Sequence, residues 1–529
     1  MIKPVLRAAA AAMFLFAPLL AHASWCVATS AHFQVYSEGS ETAARDAAAR
    51  LEKFQIALRF LSRATSQASG MKIKVFLVRD EAAVGETMPY GGQGVLGYYS
   101  ATIRGPYAVM SRTDSRGSRG SRGEVYIADM SAQQVLFHEL THHFSQQYFP
   151  AAYPVWYSEG FAEYIGSMEI LSDNRVVVGN PVQSRYATFG SNDWLSVRKL
   201  LSAQAYRDVG GNIGLLYAEG WLLVHYLTNT PARPGQLANY LTLINKGMPF
   251  DAAAQQAFGD LDKLNAELRD YSRRGKLNAM VLPFKSLDPG EISIRKLTPA
   301  EDAMLPFDIR LYAGVPAKDA GAFVDKVSAA AAHFPDDPDA LRVLFGAQRL
   351  AGRVGEARAT AKHWAERAPE DGLAIAAQAD SLSDELAAAG NHDAARWSEV
   401  RKLYALAAKK APKTPQILQG FYESFRRQGM MPPDAAQNAL YSAFELLPQF
   451  DDLRMEVASD FEMRGMIDDA ISVIRPAAYL SIDPSKLGED ERRKRDERLK
   501  KYKVAGEHDG ETAREMLNRL EAKKAAAKP

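Results

Sequence analysis

Residues 135–144 read Val-Leu-Phe-His-Glu-Leu-Thr-His-His-Phe, and this segment determines how the first half of the chain is interpreted. His138 and His142 are four residues apart, so on a helix they lie on one face with side chains about 5–6 Å apart, close enough to share one metal ion. Glu139 projects beside them, where a carboxylate can accept a proton from a zinc-bound water. The pattern predicts a helix with two histidine ligands.

The next segment supplies a candidate third ligand. Residues 154–164 read Pro-Val-Trp-Tyr-Ser-Glu-Gly-Phe-Ala-Glu-Tyr, and we predict that they begin the next helix of an antiparallel pair. Glu159 can complete the ligand set, and Glu163, one turn further on the same face, can hydrogen-bond the outer nitrogen of a ligand histidine. Structural zinc sites usually have four ligands that include cysteines, and none is near, so an open catalytic site is favoured.

The two segments resemble the gluzincin peptidases, and within them the bacterial peptidase MA-like family, which pairs His-Glu-Leu-Thr-His with Trp-x-x-Glu-Gly-x-Ala-Glu-Tyr. The resemblance is close from His138 to Tyr164 and looser over most of the first half of the chain. It implies a thermolysin-like domain in which Zn²⁺ is held by His138, His142 and Glu159. It also implies that Glu139 is the general base and that the substrate is a peptide or protein.

Tyr217 is a weaker candidate for a catalytic role. It resembles the tyrosine with which related aminopeptidases hydrogen-bond the oxyanion, in a Tyr-x-Lys-Gly context, but this chain has Glu219 at the lysine position. Tyr217 can equally be interpreted as an aromatic residue that only packs between helices. The Gly-x-Met-Glu-Asn segment that anchors a substrate N-terminus in those aminopeptidases is absent, so endopeptidase and exopeptidase activity both stay open.

The first 23 residues predict export. Lys3 and Arg7 precede an apolar run over residues 8–20, and a small-x-small cleavage signal follows, so residues 1–23 are predicted to be a bacterial signal peptide. The run is shorter than the roughly 20 residues that span a bilayer, and we find no other such stretch, so no integral membrane segment is expected after cleavage. The predicted location is the periplasm or the exterior.

The charge balance gives no sign of a nucleic-acid partner. Lys and Arg number 64 against 63 Asp and Glu, so the chain as a whole has no field that attracts a polyanion. A run of charged residues near the C-terminus is interpreted as a solvated helix or tail. We therefore expect no nucleic acid among the partners.

Short strand candidates precede the histidine helix. One helix candidate lies among them, at residues 42–63. The strand candidates are residues 32–36, 72–78, 94–103, 107–111 and 124–127. Between the last two, Ser-Arg-Gly occurs three times over residues 115–123, which we interpret as a solvated loop. The predicted fold class is therefore α+β, with a small, mostly antiparallel sheet in a helical metallopeptidase domain.

The second half of the chain is predicted to be an all-α solenoid. Gly352, Gly390, Gly429 and Gly465 are 38, 39 and 36 residues apart, slightly more than the 34 residues of a tetratricopeptide repeat. The expected order is a signal peptide (1–23), a metallopeptidase domain (24–280), a proline-containing linker (281–315), tetratricopeptide-like repeats (316–484) and a charged helical tail (485–529).

Two functions from different classes follow. The first is an exported zinc-dependent peptidase whose repeats bind a substrate or a protein partner. The alternative is a protein-binding repeat scaffold that carries a weakly active or inactive metallopeptidase module. A metal-dependent hydrolase of a non-peptide bond would use the same ligands and is a third interpretation.

Overall fold

The structure is a computed structural model that describes most of the chain after residue 23. The described residues are 24–65, 71–112, 131–149, 151–181, 188–189, 193–203, 209, 213–274, 277–480, 487–501, 503–504 and 510–527. The predicted signal peptide, the Ser-Arg-Gly tract and the strand candidate at 124–127 lie outside them. Within the described residues, none of the helices combines the length and the hydropathy that a membrane span requires.

The first half of the chain is organised around a six-stranded sheet. The strands of the described residues are β1 Trp25–Thr29, β2 Phe33–Glu38, β3 Ile73–Val78, β4 Gly97–Thr102, β5 Gly105–Ser111, β6 Glu169–Ile170, β7 Arg175–Val178, β8 Met280–Pro283 and β9 Ser293–Lys296. The larger sheet has the order β4-β5-β3-β2-β1-β9, and β6, β7 and β8 form a separate antiparallel sheet. Strand β4 therefore forms one edge of the larger sheet.

The larger sheet contains parallel pairings, although antiparallel pairings are in the majority, as predicted. Strand β3 pairs in parallel with both β2 and β5, while the other three pairings are antiparallel. The parallel pairing of β2 with β3 follows from the helix Glu41–Ser62 (α1), which connects them, because a helical crossover brings the two strands it joins into parallel orientation.

Alternate side chains of the strands enter two different cores. Val75 packs in the larger core together with Phe54 of α1. Its neighbour Phe76 faces the opposite side, where it packs with Ile309 and Tyr312 of the helix Pro299–Ala313. Both faces of the sheet are thus covered by helices.

Eight further helices lie within the described residues of the first half of the chain. They are α2 Glu81–Thr87, α3 Ala132–Tyr148, α4 Val155–Gly166, α5 Val197–Ser202, α6 Ile213–Asn229, α7 Gln236–Asn245, α8 Phe250–Phe258 and α9 Leu261–Ser272. Helix α3 contains the two histidines, and α4 follows it and packs on it. This is the helix pair that the sequence predicted.

The second half is a solenoid in which each helix packs on the next. Its helices are α10 Pro299–Ala313, α11 Ala320–Ala331, α12 Pro338–Leu350, α13 Val354–Arg367, α14 Gly372–Ala388, α15 Ala394–Lys410, α16 Pro415–Arg427, α17 Asp434–Leu446, α18 Asp451–Met463 and α19 Ile467–Leu480. The four spaced glycines all have positive φ, from 58° to 81°, and each lies in the turn inside one helix pair. Glycine adopts this conformation readily at a helix C-terminus, so the expected helical repeats are confirmed.

The predicted boundaries on either side of the repeats need correction. Residues 281–315, expected to be a linker, contain strand β9, which pairs with β1, and helix α10, which covers one face of the sheet. The prolines suggested a linker, but Pro299 begins α10 at a position where a helix tolerates proline.

The C-terminal residues divide into two helices of different character. In the predicted tail, α20 (Glu489–Lys501) has no buried residue, as expected of a solvated charged helix. In contrast, α21 (Ala513–Ala526) buries Leu517 and Leu520 against α19. The apolar face of α21 therefore makes it part of the solenoid core.

Candidate metal centre

Helix α3 presents its two histidines on one side, and a capping box fixes where the helix begins. Ser131 Oγ accepts a hydrogen bond from the Gln134 N–H at 3.2 Å, and Gln134 Oε1 accepts one from the Ser131 N–H at 2.9 Å. This arrangement satisfies N–H groups that the helix itself leaves unpaired. Phe137 is fully buried in the core, while His138 and His142 lie on the side that faces α4.

Helix α4 is held against α6 at a pair of glycines. A Cβ atom on Gly160 would lie 2.3 Å from the carbonyl carbon of Gly220, so no other residue fits without displacing a helix. This close approach of the two backbones fixes Glu159, the residue immediately before Gly160. It also brings Tyr217, one turn before Gly220, to the same region.

The three predicted ligands converge. His138 Nε2 and His142 Nε2 are 3.2 Å apart, and Glu159 Oε2 lies 3.3 Å from the first and 3.6 Å from the second. Two atoms bound tetrahedrally to zinc at about 2.0–2.2 Å are about 3.3–3.6 Å from each other. The separations of the three side-chain atoms therefore fit three ligands of one tetrahedral zinc ion.

A neighbouring side chain faces the outer nitrogen of each ligand histidine. Glu163 Oε1 lies 3.5 Å from His138 Nδ1, as the sequence predicted, although this distance is longer than a good hydrogen bond. Ser158 Oγ lies 3.3 Å from His142 Nδ1. Such partners orient imidazole rings towards a metal. Ser158 was not predicted as a site residue, because a serine in the first turn of a helix is ordinary.

The electrostatics of the cluster favour a cation. Burial by itself would lower the pKa of His138, but the hydrogen bond to Glu159 and the negative charges of Glu163 and Glu139 outweigh it and raise the pKa to about 9. Burial would raise the pKa of Glu159, yet His142 and His138 hold it well below its usual range. A buried carboxylate that stays ionised needs positive charge beside it, which a divalent metal supplies.

The two proposed catalytic side chains lie next to this cluster. The ring centroid of Tyr217 is 6.1 Å from that of His138, and Tyr217 is half-buried. Glu139 is partly exposed on α3, one residue from His138. Burial and the negative charge of Glu139 together raise the pKa of Tyr99 on strand β4, so this carboxylate faces the edge strand.

Two buried polar residues of α6 have structural contacts away from the cluster. His225 is fully buried, and its Nδ1 is 2.9 Å from the hydroxyl oxygen of Tyr271. Glu219 is also fully buried, and its Oε1 accepts a hydrogen bond from the Leu195 N–H at 2.7 Å. Glu219 therefore anchors a backbone segment beside α6.

Among known proteins, only solved structures match this chain. No family model matches the chain, and no curated protein matches it. A thermophilic tetratricopeptide repeat protein of Thermus thermophilus is 18% identical, with 37% of this chain and 92% of that chain covered and a TM-score of 0.27. A tetratricopeptide repeat protein of Parabacteroides merdae is 12% identical, with 54% and 97% covered and a TM-score of 0.28.

A third match, the human IFIT1 dimer with PPP-AAAA, is 16% identical, with 55% of this chain and 69% of that chain covered and a TM-score of 0.23. All three TM-scores are below 0.5. The assignment of helical repeats therefore depends on the helix pairs and turn glycines of this chain itself.

Proposed function

We propose that this chain is an exported zinc-dependent peptidase in which His138, His142 and Glu159 hold the metal. The observation that carries the proposal is the separation of the three ligand atoms, 3.2–3.6 Å, which matches tetrahedral zinc. The ligand set leaves one coordination position for water, as catalytic zinc sites do. That the bond is a peptide bond rests on the resemblance of residues 138–164 to gluzincins.

The surrounding residues have distinct tasks in such a reaction. Bound zinc would supply a Lewis acid and a water with a pKa near 7. The Glu139 carboxylate takes the proton from the attacking water and delivers it to the leaving nitrogen. Glu163 and Ser158 keep the ligand imidazoles oriented, and the Tyr217 hydroxyl donates a hydrogen bond to the oxyanion.

The second candidate is the protein-binding repeat scaffold. The specific observation in its favour is the solenoid of paired helices from α10 to α19, an architecture that commonly presents extended binding surfaces.

Peptide hydrolysis by matched variants separates the two candidates. Wild-type protein, Glu139→Gln and the exposed control Glu399→Gln are loaded with zinc and incubated with a peptide library that is read by mass spectrometry. The peptidase candidate predicts cleavage by wild type and control, and a loss of about 10²–10⁴-fold in Glu139→Gln with its zinc retained. Absence of cleavage by zinc-loaded wild type would leave the scaffold candidate.

The proposed export has its own test. The signal sequence over residues 1–23 predicts that the mature chain begins at Ser24. N-terminal sequencing of protein from a bacterial periplasmic or culture fraction should read Ser-Trp-Cys. Recovery of the chain only in the cytoplasm, with Met1 retained, would refute export.

A further inference from the structure

The turn between β4 and β5 is inserted against the solenoid. These two strands form a tight hairpin in which Ala101 pairs with Pro106 and Thr102 pairs with Gly105. Ile103 and Arg104 occupy the turn. We call residues 101–105 the hairpin tip, and the solenoid contacts it from two sides.

On the first side, Arg104 enters a charged site formed by α10 and α12. Its guanidinium is paired with Asp308, which is only 4% exposed, and lies 4.1 Å from the ring centroid of Tyr312. Arg342 of α12 donates to the same carboxylate at 3.1 and 3.3 Å. These positive charges outweigh the effect of burial and hold the pKa of Asp308 far below its usual range. The ion pair is therefore a strong and specific contact.

On the second side, the tip packs on apolar residues of α16 and α17, four helices after α12. Ala101 and Ile103 pack against the buried cluster that contains Tyr422 and Leu440, together with Phe421 of α16. Neighbouring residues of one turn thus contact α10 on one side and the α16–α17 cluster on the other.

These contacts require that one layer of the solenoid faces the sheet. Arg349 of α12 donates to Asp380 and Asp384 of α14, and Asp384 also accepts from Arg427 of α16. Gln419 of α16 donates to α18. Helices α12, α14, α16 and α18 therefore lie side by side in one row. The tip meets Asp308, the partner of Arg342 of α12, and also packs on the cluster that contains Tyr422 of α16, so it lies beside this row.

The hairpin also borders the metal cluster. Tyr99 belongs to β4, and its hydroxyl is hydrogen-bonded to Nδ1 of His143 at 2.7 Å. His143 directly follows the ligand His142 on α3. The ligand helix α3 also contacts the solenoid directly, because the side chain of Gln449, which precedes α18, donates a hydrogen bond to Gln147 of α3 at 2.6 Å. Strand β4 is thus tied to the ligand helix at one end and to the solenoid at the other.

We infer that the ligand of the solenoid's sheet-facing layer is the chain's own hairpin tip, and that this contact fixes the edge strand β4 beside the metal-ligand helix. The repeats act here as an internal clamp. A separate protein partner then has to use the other helix layer or compete with the contact between Arg104 and the buried Asp308. The inference goes beyond the proposed function, and hydrolysis is not needed to test it.

Hydrogen exchange of the full-length protein provides the test. The variants are Arg104→Ala, which removes the positive charge of the hairpin tip, and Asp308→Asn, which removes the negative charge of the solenoid and preserves the side-chain shape. Both are expected to accelerate exchange of residues 97–102 by about tenfold and of residues 143–148 to a lesser extent. Residues 372–410 should exchange as in wild type. The control Arg358→Ala breaks an exposed pair with Glu385 and should change none of these segments.

Two results would overturn the inference. The first is that residues 97–102 exchange as slowly in both variants as in wild type, which would mean that the solenoid does not hold β4. The second is equal acceleration of residues 97–102 and 372–410, which would mean that the ion pair stabilises the whole fold and has no particular effect on the edge strand.

Discussion

Replacing Glu219 by Gln should stabilise the protein at neutral pH and remove one part of its pH dependence. Glu219 is fully buried on α6, one oxygen accepts the Leu195 N–H, and Oε2 has no hydrogen-bond partner among the described residues. Burial raises its pKa from 4.5 to about 8, against the opposing effects of that hydrogen bond and of Arg269. The carboxyl group is therefore protonated in the folded protein at pH 7 and ionised once the chain unfolds.

The sign and size of the change in the free energy of unfolding follow from proton linkage. An acid with a raised folded pKa has no effect on stability below pH 4.5, lowers stability progressively between pH 4.5 and 8, and has its full effect above pH 8. Each pH unit in that window corresponds to about 1.4 kcal/mol, so at pH 7 the free energy of unfolding is lowered by about 3 kcal/mol. Glutamine at position 219 resembles the protonated acid in shape and cannot ionise.

Urea unfolding of wild type and Glu219→Gln at pH 5, 6, 7 and 8 measures the effect. We expect a difference in favour of the variant of just under about 1 kcal/mol at pH 5, which grows to about 3 kcal/mol at pH 7. The exposed variant Glu399→Gln should follow wild type at every pH. A difference between Glu219→Gln and wild type that does not change with pH would refute the reasoning.

Three further predictions concern the site. Gly160→Ala should lower stability by about 2–3 kcal/mol in thermal unfolding, because its Cβ would meet the Gly220 backbone at 2.3 Å. The control Gly214→Ala on the same helix pair should be tolerated, because a Cβ there meets nothing within 4 Å among the described residues. Equal stabilities of the two variants would contradict the close packing. Glu163→Gln should weaken zinc binding about 10- to 100-fold in chelator competition, and unchanged affinity would show that the 3.5 Å contact has no orienting role. Tyr217→Phe should lower kcat about 100-fold at constant KM if its hydroxyl binds the oxyanion, and an unchanged kcat would identify it as a packing residue.

Local rules predicted the site because its parts are close in sequence. His138 and His142 share a helix face at a spacing of four residues, and Glu159 follows on the next helix. The approach of α6 was not predictable in the same way. It depends on Gly160 and Gly220, which are distant in the chain and show no periodicity that relates them.

The large-scale organisation was predicted less well. The helical repeats were found because each turn requires a glycine with positive φ, which leaves a regular spacing in the sequence. The linker prediction was wrong because strand β9 has four residues and its pairing with β1 is visible only in the fold. Contacts across such sequence distances, including Arg104 with Asp308, leave no local signal.

Zinc content is the measurement that tests the central claim most directly. Wild type, His142→Ala and His363→Ala are expressed with zinc, dialysed and measured by plasma mass spectrometry. His363 is a partly exposed histidine of the solenoid that pairs with Asp336, so it controls for non-specific binding. The account predicts about one zinc per chain in wild type and in His363→Ala, and almost none in His142→Ala. Metal-free wild type, or equal zinc in all three proteins, would contradict it.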